Sequence, residues 1–121
     1  MPKRILVIDD DPDILEVLDI IFKQEGYEVI LSKTGYEAEQ LSEINPDLVL
    51  LDIRIEGSGR NGVSICTKIK SHPETRDLPV ILFSAEDNIE ELSMQSRANG
   101  HISKPFNFAQ LVIKVNELLA A

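Results

Sequence analysis

The chain predicts a doubly wound α/β domain built on a five-stranded parallel sheet with helices on both faces. Three observations lead there. Runs such as Ile5-Leu6-Val7-Ile8, Leu48-Val49-Leu50-Leu51 and Val80-Ile81-Leu82-Phe83 are apolar at successive positions, as strands covered on both sides require. Segments of helical period separate them. The strand-like segments also end alike on polar residues: Asp9-Asp10, Asp52, Ser84 and Lys104. A charge is costly to bury, so it marks where a strand leaves the core. In an open parallel sheet those ends line the ligand crevice. Alternating β and α units imply right-handed crossovers; periodicity alone leaves the strand order open.

The elements follow in order. Residues 3–9 read as a strand. Asp11-Pro12 supplies an N-cap and a proline at the first helical position, opening a helix over 12–25 that Gly26 ends. Tyr27–Leu31 is a short strand and Gly35–Ile44 a helix with Ala38 and Leu41 inward. Asn45-Pro46 breaks the chain before the strand Asp47–Asp52. Arg54–Asn61 reads as a polar loop, Gly62–Ser71 as a helix and His72–Asp77 as a connector. Strand Leu78–Phe83 precedes a thinly amphipathic helix over Asp87–Ala98, striped by Ile89, Leu92, Met94 and Ala98. A strand over 99–103 leads to a last helix from Asn107, where Leu111, Val112, Val115, Leu118 and Leu119 mark one face.

Composition narrows the function classes. A chain of 121 residues with 43% hydrophobic and 27% charged residues reads as one domain, residues 1–121, with a sizeable core. No apolar stretch approaches about 18 residues, so no membrane partner or leader is expected. A net charge of −9 argues against direct nucleic-acid binding, which rests on clustered Lys and Arg. Cys66 is the single cysteine; it fits a cytoplasmic location and a packed thiol between Ile65 and Ile69.

The strand-end residues carry the chemistry. If their strands are neighbours, Asp9, Asp10 and Asp52 converge. Carboxylates ~4 Å apart repel by ~4 kcal/mol per pair at an effective dielectric of ~20. Lys104 offsets part of that, and a hard cation with oxygen ligands, Mg²⁺ in preference to Ca²⁺, offsets the rest. Asp11 is assigned instead to helix capping. A carboxylate nucleophile, a cation, an amine and a hydroxyl suit transfer of a phosphoryl group to give an aspartyl phosphate.

Ile8-Asp9-Asp10, Leu51-Asp52, Ser84-Ala85 and Lys104-Pro105-Phe106, in this order and spacing, resemble the receiver domain of two-component response regulators over essentially the whole chain. The resemblance implies a flavodoxin-like strand order 2-1-3-4-5. It implies Asp52 as phosphoacceptor, Mg²⁺ held by Asp10 and Asp52 directly, by Asp9 through water and by the Arg54 backbone carbonyl. Lys104 would pair with the phosphoryl group and Ser84 would be the switch hydroxyl. The implied partners are a histidine kinase or histidine phosphotransfer protein, docking on the first helix near Ile14, Val17 and Ile20, and a downstream protein target. The activity would be self-phosphorylation and autodephosphorylation, not enzymatic turnover of a separate substrate. No output domain follows the last helix, so output is expected to lie elsewhere.

Two places depart from the family pattern. His101 stands three residues before the lysine, where Tyr or Phe is usual as the second switch residue, and an imidazole there would add pH sensitivity. Glu56 replaces the usual proline, and Gly57–Gly62 is about two residues longer than usual. Arg54 and Glu86, each two residues beyond a site residue, are placed to pair over the phosphate. A pseudo-receiver binding module and a haloacid-dehalogenase-type phosphatase are the alternatives. The second has Asp9-x-Asp11 in its favour, but only Glu117 supplies an acid after Lys104.

Overall fold

The computed structural model describes residues 2–55, 60–105 and 107–120. In chain order these form β1 (Arg4–Ile8), α1 (Pro12–Gln24), β2 (Glu28–Ser32), a 3₁₀ turn (Tyr36–Glu39), α2 (Leu41–Ile44) and β3 (Leu48–Asp52). There follow β4 (Arg54–Ile55), β5 (Arg60–Asn61), α3 (Gly62–Ser71), β6 (Val80–Ser84), α4 (Ile89–Ser96), β7 (Gly100–Ser103) and α5 (Phe108–Leu119). Five strands pair in parallel in the order β2-β1-β3-β6-β7. Numbered among themselves, these five run 2-1-3-4-5, the expected order.

Alternation along each strand divides the core in two. Ile5, Val7, Leu48, Leu50, Ile81 and Phe83 meet α1 and α5 on one face. Leu6, Ile8, Val49, Leu51, Val80 and Leu82 meet α3 and α4 on the other. These central positions are sealed from solvent, so each side chain contributes about 1.5–3 kcal/mol by burial. Asp11 caps α1 as expected: its carboxylate accepts from the Asp13 N–H at 2.9 Å, with Pro12 inside the first turn. Asn61 and Asn107 cap α3 and α5 in the same way.

Three expectations need correction. The helix expected over Gly35–Ile44 is a 3₁₀ turn and a single α turn, separated by Gln40 at φ −120°, ψ 30°. Arg4 dictates where this segment stops. Its guanidinium donates to the Ile44 carbonyl, and its N–H donates to Asp47 Oδ2 at 2.7 Å, bringing Asp47 beside β1. The expected polar loop Arg54–Asn61 begins and ends in the antiparallel pair β4–β5, because Ile53 and Ile55 are both buried and force an extended path between them. Its stretch over 56–59, which includes the first part of the segment Gly57–Gly62 expected to be longer than usual, lies outside the described residues. On α4, Met94 points outward at 75% exposure while Ser93 and Ser96 are buried. α4 packs closely on α3, where Cys66 Sγ donates to the Ser96 carbonyl at 3.5 Å, and close approach of two helices favours small side chains. Cys66 is the packed thiol expected, and burial pushes its pKa up.

Candidate acidic pocket at the strand ends

Register builds the pocket. Ile8 pairs with Leu51 across β1 and β3, so the next residues, Asp9 and Asp52, leave the sheet side by side at the point where the strand order reverses. On the other flank Asp52 pairs with Phe83, Phe83 with Ile102, and Ser84 with Ser103. Lys104 therefore begins one residue past the end of β7, and its N–H donates to the Ser84 carbonyl at 2.8 Å. Asp9, Asp52, Phe83 and Lys104 share the side-chain parity of the α1/α5 face.

Lys104 Nζ lies 3.1 Å from Asp9 Oδ2 and 3.3 Å from Asp52 Oδ2. Asp9 is fully buried, and its second oxygen accepts from the Asp11 N–H at 2.8 Å. One carboxylate oxygen from each of Asp9, Asp10 and Asp52 lies within 4.8 Å of the others. Burial, then the neighbouring Asp9 charge, raises the Asp52 pKa to about 6 against the opposing pull of Lys104. Burial likewise raises Asp9. Burial alone would lower Lys104, but the charges of Asp52 and Asp9 outweigh it and hold the ammonium above its usual pKa. The pocket is thus short of positive charge. Three hard oxygen donors with one amine fit a small divalent cation, and the charge of the donor set matches one.

The remaining residues divide. Ser84 is buried at the end of β6, where its hydroxyl accepts from the Glu86 N–H at 3.1 Å and makes no hydrogen bond to Asp9 or Asp52. Its parity is that of the α3/α4 face, opposite to the carboxylates. His101 is exposed on β7, an edge strand of the sheet. Arg54 lies on β4 with its guanidinium paired to Glu86, as its placement in the sequence suggested.

Two residues at the site escape sequence reading. Gly62 opens α3 with its N–H donating to the Ile53 carbonyl at 2.8 Å. A Cβ there would stand 2.1 Å from the Asp52 carbonyl oxygen and 2.8 Å from Ile53 Cα. Only glycine fits, and the signal was its position directly after the capping Asn61. Phe83 lies under Lys104, with Nζ 4.9 Å from the ring centroid. In sequence it is one more apolar residue of a strand.

Comparison with known proteins agrees with this geometry. Residues 5–116 match the family model of the response regulator receiver domain. The DNA-binding response regulator MtrA of Mycolicibacterium smegmatis is 33% identical over 122 residues, covering 98% of this chain and 51% of that protein. The chain thus spans about half the length of that curated relative. A response regulator structure from Chloroflexus aurantiacus superposes with a TM-score of 0.90 at 31% identity, over 100% of both chains. The response regulator TrrA of Thermotoga maritima, solved in complex with Mg²⁺-BeF, gives 0.84 at 37% identity over 97% of this chain and 99% of that one. With strand order, acidic pocket and sequence in agreement over nearly its whole length, the chain belongs to the response regulator receiver domains of two-component signalling.

Proposed function

We propose that Asp52 accepts a phosphoryl group from a phosphohistidine on a partner histidine kinase or phosphotransfer protein. The observation that carries the reading is the cluster of Asp9, Asp10 and Asp52 with Lys104 at the sheet's reversal point, the one such acidic cluster among the described residues. With its pKa at about 6, Asp52 is mostly ionised at neutral pH and nucleophilic. Its oxygen attacks phosphorus in line. The new O–P bond forms as the P–N bond breaks, and the electron pair leaves with the donor imidazole. Lys104 moves from its two carboxylates to a phosphoryl oxygen. Asp9, Asp10, Asp52 and the Arg54 backbone carbonyl would hold Mg²⁺, which when bound neutralises charge on the acids and the phosphoryl oxygens.

The acyl phosphate then draws the Ser84 hydroxyl from the Glu86 N–H, and His101 on β7 follows as the second switch residue. The surface of α4, β7 and α5 that changes is read by a downstream protein, with nucleic acid contacted only by that protein or by another segment. Exposed Val17 and Ile20 on α1 suit the docking of the phosphohistidine partner. The domain modifies only itself, by phosphorylation and autodephosphorylation, over the one unit 1–121. No helix among the described residues is long and apolar enough to cross a membrane. The lone buried Cys66 agrees with assigning the domain to the cytoplasm.

Incubation with acetyl phosphate and Mg²⁺ followed by intact-mass measurement tests the reading. One phosphoryl addition is expected, abolished by Asp52→Asn and by chelation. Unchanged addition to Asp52→Asn, or none to the parent protein, would overturn it.

A further inference from the structure

We propose that Phe83 is a positioning residue for Lys104, its ring face holding the ammonium inside the phosphoryl pocket. The inference rests on the acceptor reading above and assigns a role to a side chain outside the acidic cluster. Lys104 Nζ stands 4.9 Å from the Phe83 ring centroid while 3.1 and 3.3 Å from Asp9 and Asp52 oxygens. At that distance the negative face of the ring attracts a cation, more strongly where water is excluded. Phe83 is 1% exposed and packed in the α1/α5 core cluster, so its ring is held in place. In the sheet it is flanked by Asp52 and Ile102, between the strand of the acceptor and the strand that leads to the lysine.

The two kinds of anchor respond differently to the reaction. The carboxylates hold Lys104 by charge, and that hold weakens when Asp52 becomes an acyl phosphate or when another cation shares its oxygens. The ring is uncharged and takes no part in those changes, so its hold persists through the cycle. It also keeps a long, flexible side chain near the phosphoryl oxygens without adding an anion that would compete with them. An aliphatic side chain of similar size would fill the same core volume without attracting the ammonium. That difference separates positioning from packing.

The test replaces Phe83 by phenylalanines carrying one, three and five ring fluorines, which nearly keep its shape while stepwise removing the negative ring face, and adds Phe83→Leu. In metal-free parent protein, the ε-methylene protons of Lys104 are expected upfield of those of exposed lysines because of the ring current, and Phe83→Leu abolishes the shift. The rate of phosphorylation by acetyl phosphate with Mg²⁺ is expected to fall with each fluorine, to about a fifth of the parent rate with five. The melting temperature is not expected to follow the same progression. A flat rate series, a rate that falls only in proportion to melting temperature, or Lys104 protons at ordinary shifts in the parent would each overturn the proposal. A parent protein that takes no phosphate refutes the acceptor reading instead, while the metal-free shift still judges the Phe83–Lys104 contact.

Discussion

Replacing Asp52 by Asn in the metal-free domain is expected to stabilise the fold, although it removes the proposed acceptor. In the folded protein the Asp52 carboxyl titrates at about 6 instead of 3.8, chiefly because of burial and then because of Asp9. A raised carboxyl pKa means that the folded state holds its proton more tightly than the unfolded chain. Stability is therefore lost as pH rises from about 4 through 6 and stays lost above that. At about 1.4 kcal/mol per pKa unit, the ionised side chain costs on the order of 3 kcal/mol at pH 7.5, with the help of Lys104 already included. For a domain of this size 1 kcal/mol moves the melting temperature by ~4 °C, so Asp52→Asn is expected to melt roughly 8–12 °C above the parent. Thermal denaturation in chelator at intervals from pH 4 to 8 reads this directly. The gap between the two proteins opens from near zero at pH 4 to its full size above pH 7, and added Mg²⁺ narrows it by stabilising the parent more. A variant no more stable than the parent at pH 7.5, or a gap independent of pH, would refute the electrostatic account of the pocket.

Other changes separate further parts of the reasoning. Gly62→Ala forces a Cβ to within 2.1 Å of the Asp52 carbonyl oxygen, and both groups are backbone. A loss of about 3 kcal/mol or more in urea denaturation is expected, and a loss under about 1 kcal/mol would show that the turn yields freely. Lys70→Met removes an ammonium that donates to the Arg76 and Leu78 carbonyls and to Asn99 Oδ1 at 3.1, 2.7 and 2.6 Å. Asn99 Oδ1 keeps the Val80 N–H at 2.9 Å, but the two carbonyls lose this donor, which is expected to cost about 2–3 kcal/mol, read as a lower denaturation midpoint; an unchanged midpoint would mean that the exposed end of the cluster rehydrates. The Arg54–Glu86 pair is largely open to solvent on the arginine side and is expected to add under about 1 kcal/mol to stability. If the pair covers the phosphate of the proposed acyl phosphate, Arg54→Ala and Glu86→Ala are each expected to speed dephosphorylation roughly two- to threefold and the double variant no further. Strictly additive effects would show two independent residues.

Much of the pocket was legible because charge is dear in a protein interior. Asp9 and Asp52 each end an apolar strand, Lys104 follows the short and more polar β7, and a single parallel sheet collects such ends at one edge. The order that makes Asp9 and Asp52 neighbours came from family resemblance, since five similar strands carry no local record of which lies beside which. The break at Gln40 was hidden because its cause is distant: Arg4 and Asp47, on two other elements, set where the segment must end. The β4–β5 pair does leave a trace, the alternation of Ile53 and Ile55 about Arg54, masked by the glycines that follow. The apolarity of Met94 predicts an inward side chain, yet α3 lies too close for anything larger than Ser93 and Ser96. Phe83 under Lys104 joins neighbouring strands through register, which no window along the chain contains.

The ion pair between Lys104 and Asp9 spans 95 positions, and that with Asp52 spans 52. During synthesis both acids leave the ribosome long before the amine that balances them, and the outer strand leading to that amine is the last of the sheet to be made. A half-made chain exposes those anions without their counter-charge. Under the proposed function, only a finished fold can be signalled to.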